Sequence, residues 1–175
     1  MKCCPTRALI CALLLATCAL CPGIRSQASE SVATLDRLLQ AKDWLNHAPT
    51  SSLVRGKVVL VDFYTFECYN CKNVEPNLRA LYRDKPRSGL VILSVHSPET
   101  PVERDRGELI TSLKDQGVVW PVAVDNDFAI WNAYGVTAWP TQMIFDRSGT
   151  LRKTVVGDSQ DDVVNAAVDE LIREK

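Results

Sequence analysis

Seven consecutive residues, Val58-Val59-Leu60-Val61-Asp62-Phe63-Tyr64, form an apolar run rich in β-branched side chains and broken only by Asp62. A run of that kind predicts a strand buried on both faces, which demands helices on both sides of a sheet and hence an α/β fold. Cys68-Tyr69-Asn70-Cys71 follows, and then Val74, Leu78, Leu81 and Tyr82 recur at helical spacing. Strand, short connection and helix together put Cys68 at or just before the first helical turn and Cys71 one turn further in. Unpaired N–H groups and the positive dipole end at a helix N-terminus favour a thiolate, the form of cysteine that attacks disulfides. Cys68 is therefore the predicted nucleophile and Cys71 the resolving thiol. Asp62, desolvated inside the strand, is the predicted general base that moves a proton to or from Cys71.

Strand, buried acid, Cys-x-x-Cys and a helix carrying Pro76 together resemble the thioredoxin superfamily. Gly56 to Phe63, Trp120-Pro121-Val122-Ala123-Val124-Asp125, Ala133-Tyr134-Gly135-Val136 and Trp139-Pro140-Thr141 look most like the TlpA/ResA group and the extracytoplasmic thioredoxin-like domain of DipZ proteins. The resemblance covers roughly residues 53 to 158. It implies a thioredoxin-like fold, a central mixed β-sheet flanked by helices, with the helix-plus-strand insertion of the TlpA group. It also implies a cis peptide bond before Pro140, facing the cysteines, with the backbone of Trp139 pairing to a bound substrate chain as an added strand does. Tyr69 and Asn70, between the cysteines, join Trp139 and Pro140 as expected substrate-contacting residues. An acidic residue of the insertion approaches the cysteines in that group; Glu99, Glu103 and Glu108 are the candidates, and for each taken alone a solvated charged face is the preferred reading.

The cysteine distribution supports redox chemistry. Lys2 and Arg7 flank a short positive segment, Ala8 to Leu20 is apolar, and Ser26-Gln27-Ala28 supplies small residues for a signal-peptidase cut after Ala28. The apolar run is shorter than the ~20 residues a membrane span needs, so a cleaved leader is preferred to an anchor. Thr17 departs from a lipoprotein box, which argues against lipidation at Cys18. Five of the seven cysteines, at 3, 4, 11, 18 and 21, precede the cut, and the mature chain keeps Cys68 and Cys71 alone. A bridge closing so short a loop in a domain with an ample core has little structural purpose. The formal charge of −1 offers no basic field for nucleic acid, and removal of Lys2, Arg7 and Arg25 leaves 17 cations against 21 acids, or −4.

In order, residues 29–52 read as an N-terminal segment whose Val32, Leu35, Leu38, Leu39 and Leu45 predict an amphipathic helix ending near His47, taken as a solvated helix-end histidine. Residues 53–175 read as the thioredoxin-like domain. Its expected elements are a helix to about Lys85, a strand Leu90–Val95, a helix Glu103–Gln116 closed by Gly117, a strand Val118–Val124, and a short helix Phe128–Tyr134 capped by Asp125-Asn126-Asp127. A hairpin of Gln142–Phe145 with Thr150–Val156 and a last helix Asp161–Ile172 complete it. His96 is read as a loop histidine at a strand end, and Trp44, Trp120 and Trp131 as packing residues.

Glu67 replaces the tryptophan that precedes the first cysteine in thioredoxins, and its charge opposes the helix dipole. With no cation between the cysteines, the pair leans toward a reductant rather than a strong oxidant. The favoured function is extracytoplasmic disulfide exchange with protein cysteines, in cytochrome c maturation or disulfide repair for example. It needs no cofactor or metal, a monomer suffices, and a reductive role outside the cytoplasm requires a membrane electron donor of the CcdA or DsbD type. Two other functions stay open: a Sco-like copper chaperone using Cys68, Cys71 and His96, and a redox-silent binding module on the same scaffold.

Overall fold

The computed structural model describes residues 34–174. The leader cut after Ala28, Cys18 and the other N-terminal cysteines lie outside the described residues. Val58–Tyr64 forms a strand, β2, with every residue buried, Asp62 included, as the apolar run predicts. It pairs in parallel with β3, Leu90–His96, and antiparallel with β5, Thr141–Phe145. The six-stranded sheet runs β1-β4-β3-β2-β5-β6, with β1 Trp44–Leu45, β4 Val122–Val124 and β6 Leu151–Val156. The mixed sheet flanked by helices is the thioredoxin-like architecture that the motifs imply.

Each face of the sheet has its own core. Helices α3 (Tyr69–Asp84), α4 (Arg106–Asp115) and α6 (Asp161–Arg173) cover the face bearing Leu60, Ile92 and Ile144. On α3 the buried Cys71, Val74, Leu78 and Leu81 recur at three and four residues, which places one stripe against the sheet. Each fully buried aliphatic side chain contributes about 1.5–3 kcal/mol. Helices α1 (Leu35–Leu39), α2 (Ser51–Val54) and α5 (Ala129–Ala133) pack on the other face against Val61, Phe63 and Leu93.

Several elements differ from expectation. The continuous N-terminal helix is replaced by α1, a short strand β1 antiparallel to β4, and α2. His47 is exposed just beyond β1 rather than at a helix end. Glu103 lies in a 3-10 turn, Val102–Arg104, ahead of α4, with its side chain turned inward. Strand β4 begins only at Val122, because Trp120 leaves the ladder to bury its ring and donate from Nε1 to Ser94 Oγ at 2.9 Å. Gly117, at φ +68°, closes α4 in a left-handed conformation, and Val118 N–H reaches back to the Leu113 carbonyl at 2.9 Å. Asp125 caps α5 as expected, but from a distance, accepting from the backbone N–H of Ile130 and Trp131 at 2.8 and 2.9 Å.

Candidate active site

Cys68 is the N-cap of α3, and its Sγ accepts the backbone N–H of Cys71 at 3.3 Å. Both cysteines are free thiols. Cys68 is partly exposed, whereas Cys71 is only 5% exposed, so the two sulfurs differ sharply in access. Burial, first of all, and hydrogen bonding with Cys68 push the Cys71 thiol well up; a backbone hydrogen bond from Thr65 opposes this. Tyr69 and Asn70 project to solvent from the first turn, Tyr69 at 76% exposure.

Asp62 occupies the middle of β2 between Ser94 on β3 and Gln142 on β5, a polar row across the helix α3 face of the sheet. Burial raises its carboxyl to about 7; the Glu75 charge adds to the rise, while the Gln142 and Ser94 side chains oppose it. Asp62, Cys71, Lys72 and Glu75 line one narrow cleft. The predicted base and resolving thiol therefore meet in a single cleft.

A second polar assembly holds the loop before Cys68. The buried Glu103 carboxylate accepts from the Thr65 hydroxyl, from Glu67 N–H at 2.9 Å, and from Glu99 and Thr100 N–H at 2.8 and 2.7 Å. Burial works to raise Glu103, but these four donors prevail and hold it below the ordinary carboxylate range. His96 is fully buried at the end of β3, its Nε2 3.3 Å from the Thr65 hydroxyl, its ring stacked on Phe66 and edge-on to Tyr64. Burial lowers it to about 4, so it is neutral. It is a core residue rather than a loop histidine. Among the described residues no three His, Cys, Asp or Glu side chains converge as a metal site, so the Cys68, Cys71 and His96 set is not assembled.

Trp139 and Pro140 are joined by a cis peptide bond. Thr141, next in sequence, pairs with Phe63, which brings the Trp139-Pro140 bond to the same end of the sheet as Cys68. The Trp139 indole packs on Trp131 at 4.4 Å between centroids and donates to the Ser97 carbonyl at 3.0 Å. Ser97 N–H in turn donates to the Tyr64 carbonyl at 3.1 Å, tying this corner to the end of β2.

A Cys-x-x-Cys at a helix start, a buried acid beneath it and a cis-proline strand beside it are now in place, and the sequence profile of the AhpC/TSA family matches residues 38–154. The chain belongs to the AhpC/TSA family. This AhpC/TSA protein is 32% identical to protein DipZ of Mycobacterium bovis over 149 residues, 83% of the chain but 21% of DipZ. It spans about a fifth of that relative's length. It is 28% identical to the thiol-disulfide oxidoreductase YkuV of Bacillus subtilis over 141 residues, covering 80% of this chain and 95% of YkuV. The structure of a thiol-disulfide isomerase from Corynebacterium glutamicum superposes with a TM-score of 0.69 at 25% identity, covering 77% of this chain and 94% of that one.

Within this AhpC/TSA protein, Glu103 is the acid of the insertion that reaches the cysteine-bearing loop; Glu99 and Glu108 do not, both being exposed. Thr100-Pro101-Val102-Glu103 has the spacing of a capping box, and its returning arm forms, the Glu103 carboxylate accepting the Thr100 N–H. Glu103→Ala leaves four donors without their acceptor, three of them backbone N–H groups. The expected loss is about 3–5 kcal/mol in denaturant unfolding at pH 7. Because the folded carboxyl sits below its ordinary value, its stabilisation is present at neutral pH and is lost as pH falls below about 4.5. The gap between wild type and variant should therefore narrow in acid.

Proposed function

We propose that the protein is a thiol:disulfide oxidoreductase that acts on protein cysteines through Cys68 and Cys71, with Asp62 as the proton-accepting base. The observation that carries this reading is the placement of an accessible sulfur at the α3 N-cap, hydrogen-bonded by the N–H of a buried second cysteine whose cleft contains a buried carboxylate. Relatives named as thiol-disulfide oxidoreductases support it. Trp139, Pro140, Tyr69 and Asn70 form the rim onto which a substrate chain docks, pairing with the Trp139 backbone. The protein is exported by a leader cleaved after Ala28, works outside the cytoplasm as a monomer, and runs in the reductive direction with electrons from a membrane donor of the CcdA or DsbD type. None of the helices among the described residues is long and apolar enough to cross a membrane. Replacement of the usual tryptophan by Glu67 and the lack of a cation between the cysteines support the reductive direction.

The test is thiol counting on protein beginning at Ser29. Mass spectrometry of oxidised and reduced forms should differ by two hydrogens, and the bridge should open reversibly at a potential more reducing than those of strong oxidants. A chain that stays dithiol under mild oxidants rules out the redox function.

A further inference from the structure

The cleft beneath Cys71 contains a second acid that disulfide exchange as described leaves without a task. Glu75 lies one turn beyond Cys71 on α3 and shares the cleft with Asp62. Its carboxylate is paired with Arg79 at 2.7 Å, and Arg79 Nη1 also donates to the Gln116 carbonyl at 2.8 Å. Gln116 ends α4, so the insertion pins the arginine that pins the acid. Exposure rises outward along this series: Asp62 is 3% exposed, the Glu75 side chain 14% and the Arg79 side chain 39%. An acid of intermediate exposure that shares a cleft with a buried proton acceptor is placed to pass protons between it and water. We propose that Glu75 is a positioning residue for the Cys71 step, relaying the Asp62 proton between the cleft and solvent.

The relay rests on the exchange reading above. In resolution, the Cys71 S–H proton passes to the Asp62 carboxylate, and the Cys71 sulfur attacks Cys68 Sγ. The Cys68–Cys71 bond forms and the bond from Cys68 to the substrate sulfur breaks, its electron pair leaving with that sulfur. The enzyme dithiol is oxidised by two electrons and the substrate disulfide is reduced. Asp62 is left protonated and must lose its proton before it can serve again. Its proton moves to the Glu75 carboxylate, and from Glu75 to water. The groups facing this path are Asp62 and Tyr64 from β2, Cys71, Lys72 and Arg79 from α3, and the uncharged Ser94 and Gln116 from β3 and α4. Burial raises the Glu75 carboxyl, and the Arg79 and Lys72 cations oppose that rise.

The test is single-turnover resolution of a preformed mixed disulfide, followed by stopped flow from pH 6 to 9 in dilute buffer. Wild type should show one phase at each pH. Glu75→Gln should show two, because molecules that begin with Asp62 protonated resolve only after a slow proton loss. The slow amplitude should be large at pH 6, vanish above pH 8, and have its midpoint below about 7, since the neutral amide no longer raises Asp62. Added imidazole should accelerate the slow phase several-fold, which a purely structural ion pair with Arg79 does not predict, and Glu75→Asp should restore a single phase. If Glu75→Gln stays single-phased and indifferent to buffer while Asp62→Asn is slowed, the relay is wrong and the base stands. If Asp62→Asn matches wild type, the base and the relay fall together. If wild type resolves no mixed disulfide, the exchange function itself is wrong.

Discussion

Replacing Cys68 with serine should abolish disulfide exchange completely, measured as reduction of a disulfide-bonded protein such as insulin. Cys71→Ser should instead accumulate mixed disulfides that survive denaturing electrophoresis without reductant. The asymmetry follows from access. Cys68 is the sulfur that an incoming disulfide can touch, and it keeps the Cys71 backbone N–H as a donor at 3.3 Å even when the Cys71 side chain is altered. Cys71, almost fully buried, is shielded from an incoming chain, so its loss removes resolution and spares the first attack. Comparable activity in the two serine variants would mean that the sulfurs are interchangeable, and the division of labour would be wrong.

The second large effect is expected at Asp62, where stability and rate should move in opposite directions. A carboxyl raised from 3.8 to about 7 by burial penalises its ionised form in the folded state. Native protein then holds a proton that unfolded protein has released, so stability falls as pH climbs from about 4 to about 7 and stays low above that. The shift corresponds to roughly 4 kcal/mol, and the small cavity left by Asp62→Ala offsets about 1–2 kcal/mol of the gain. The variant should thus be more stable than wild type at pH 8, and equal or less stable at pH 4, in denaturant titrations. Resolution by Cys71 should nonetheless slow on the order of 10²-fold, the usual contribution of a general base. Because burial pushes the Cys71 thiol well above an ordinary cysteine, the rate defect should persist past pH 8.5 rather than vanish there. Unchanged rates would assign Asp62 to architecture.

The centre of this molecule was legible because its signals are local. A β-branched-rich apolar run broken only by Asp62 reads as a strand covered on both sides, and the apolar stripe Val74, Leu78, Leu81 reads as a helix face. The polar row of Ser94, Asp62 and Gln142 was half legible: Asp62 stood out as an acid in an apolar run, but its neighbours are set by register between strands far apart in sequence. The N-terminal segment misled for the same reason. Leu35, Leu38 and Leu39 do start a helix, but Trp44 and Leu45 become a strand only because β4 offers them partners. His96 looked like a loop residue because its enclosure comes from Tyr64, Phe66 and Thr65, which belong to another strand and its following loop. Glu75 gave no sign of sharing a cleft with Asp62, since an acid four residues before an arginine on a helix is ordinarily a surface pair.

The two margins of the sheet carry a further implication. One edge strand, β1, is only two residues long; the other, β6, carries Arg152 and Lys153 on exposed positions, with Arg152 tethered to Asp146 and Glu174. Short edges and edge cations are the devices by which sheets avoid zipping onto stray extended chains. If substrate chains dock beside the cysteines as proposed, these margins keep the same chains from being recruited along the flanks, where they would seed aggregation instead of leaving.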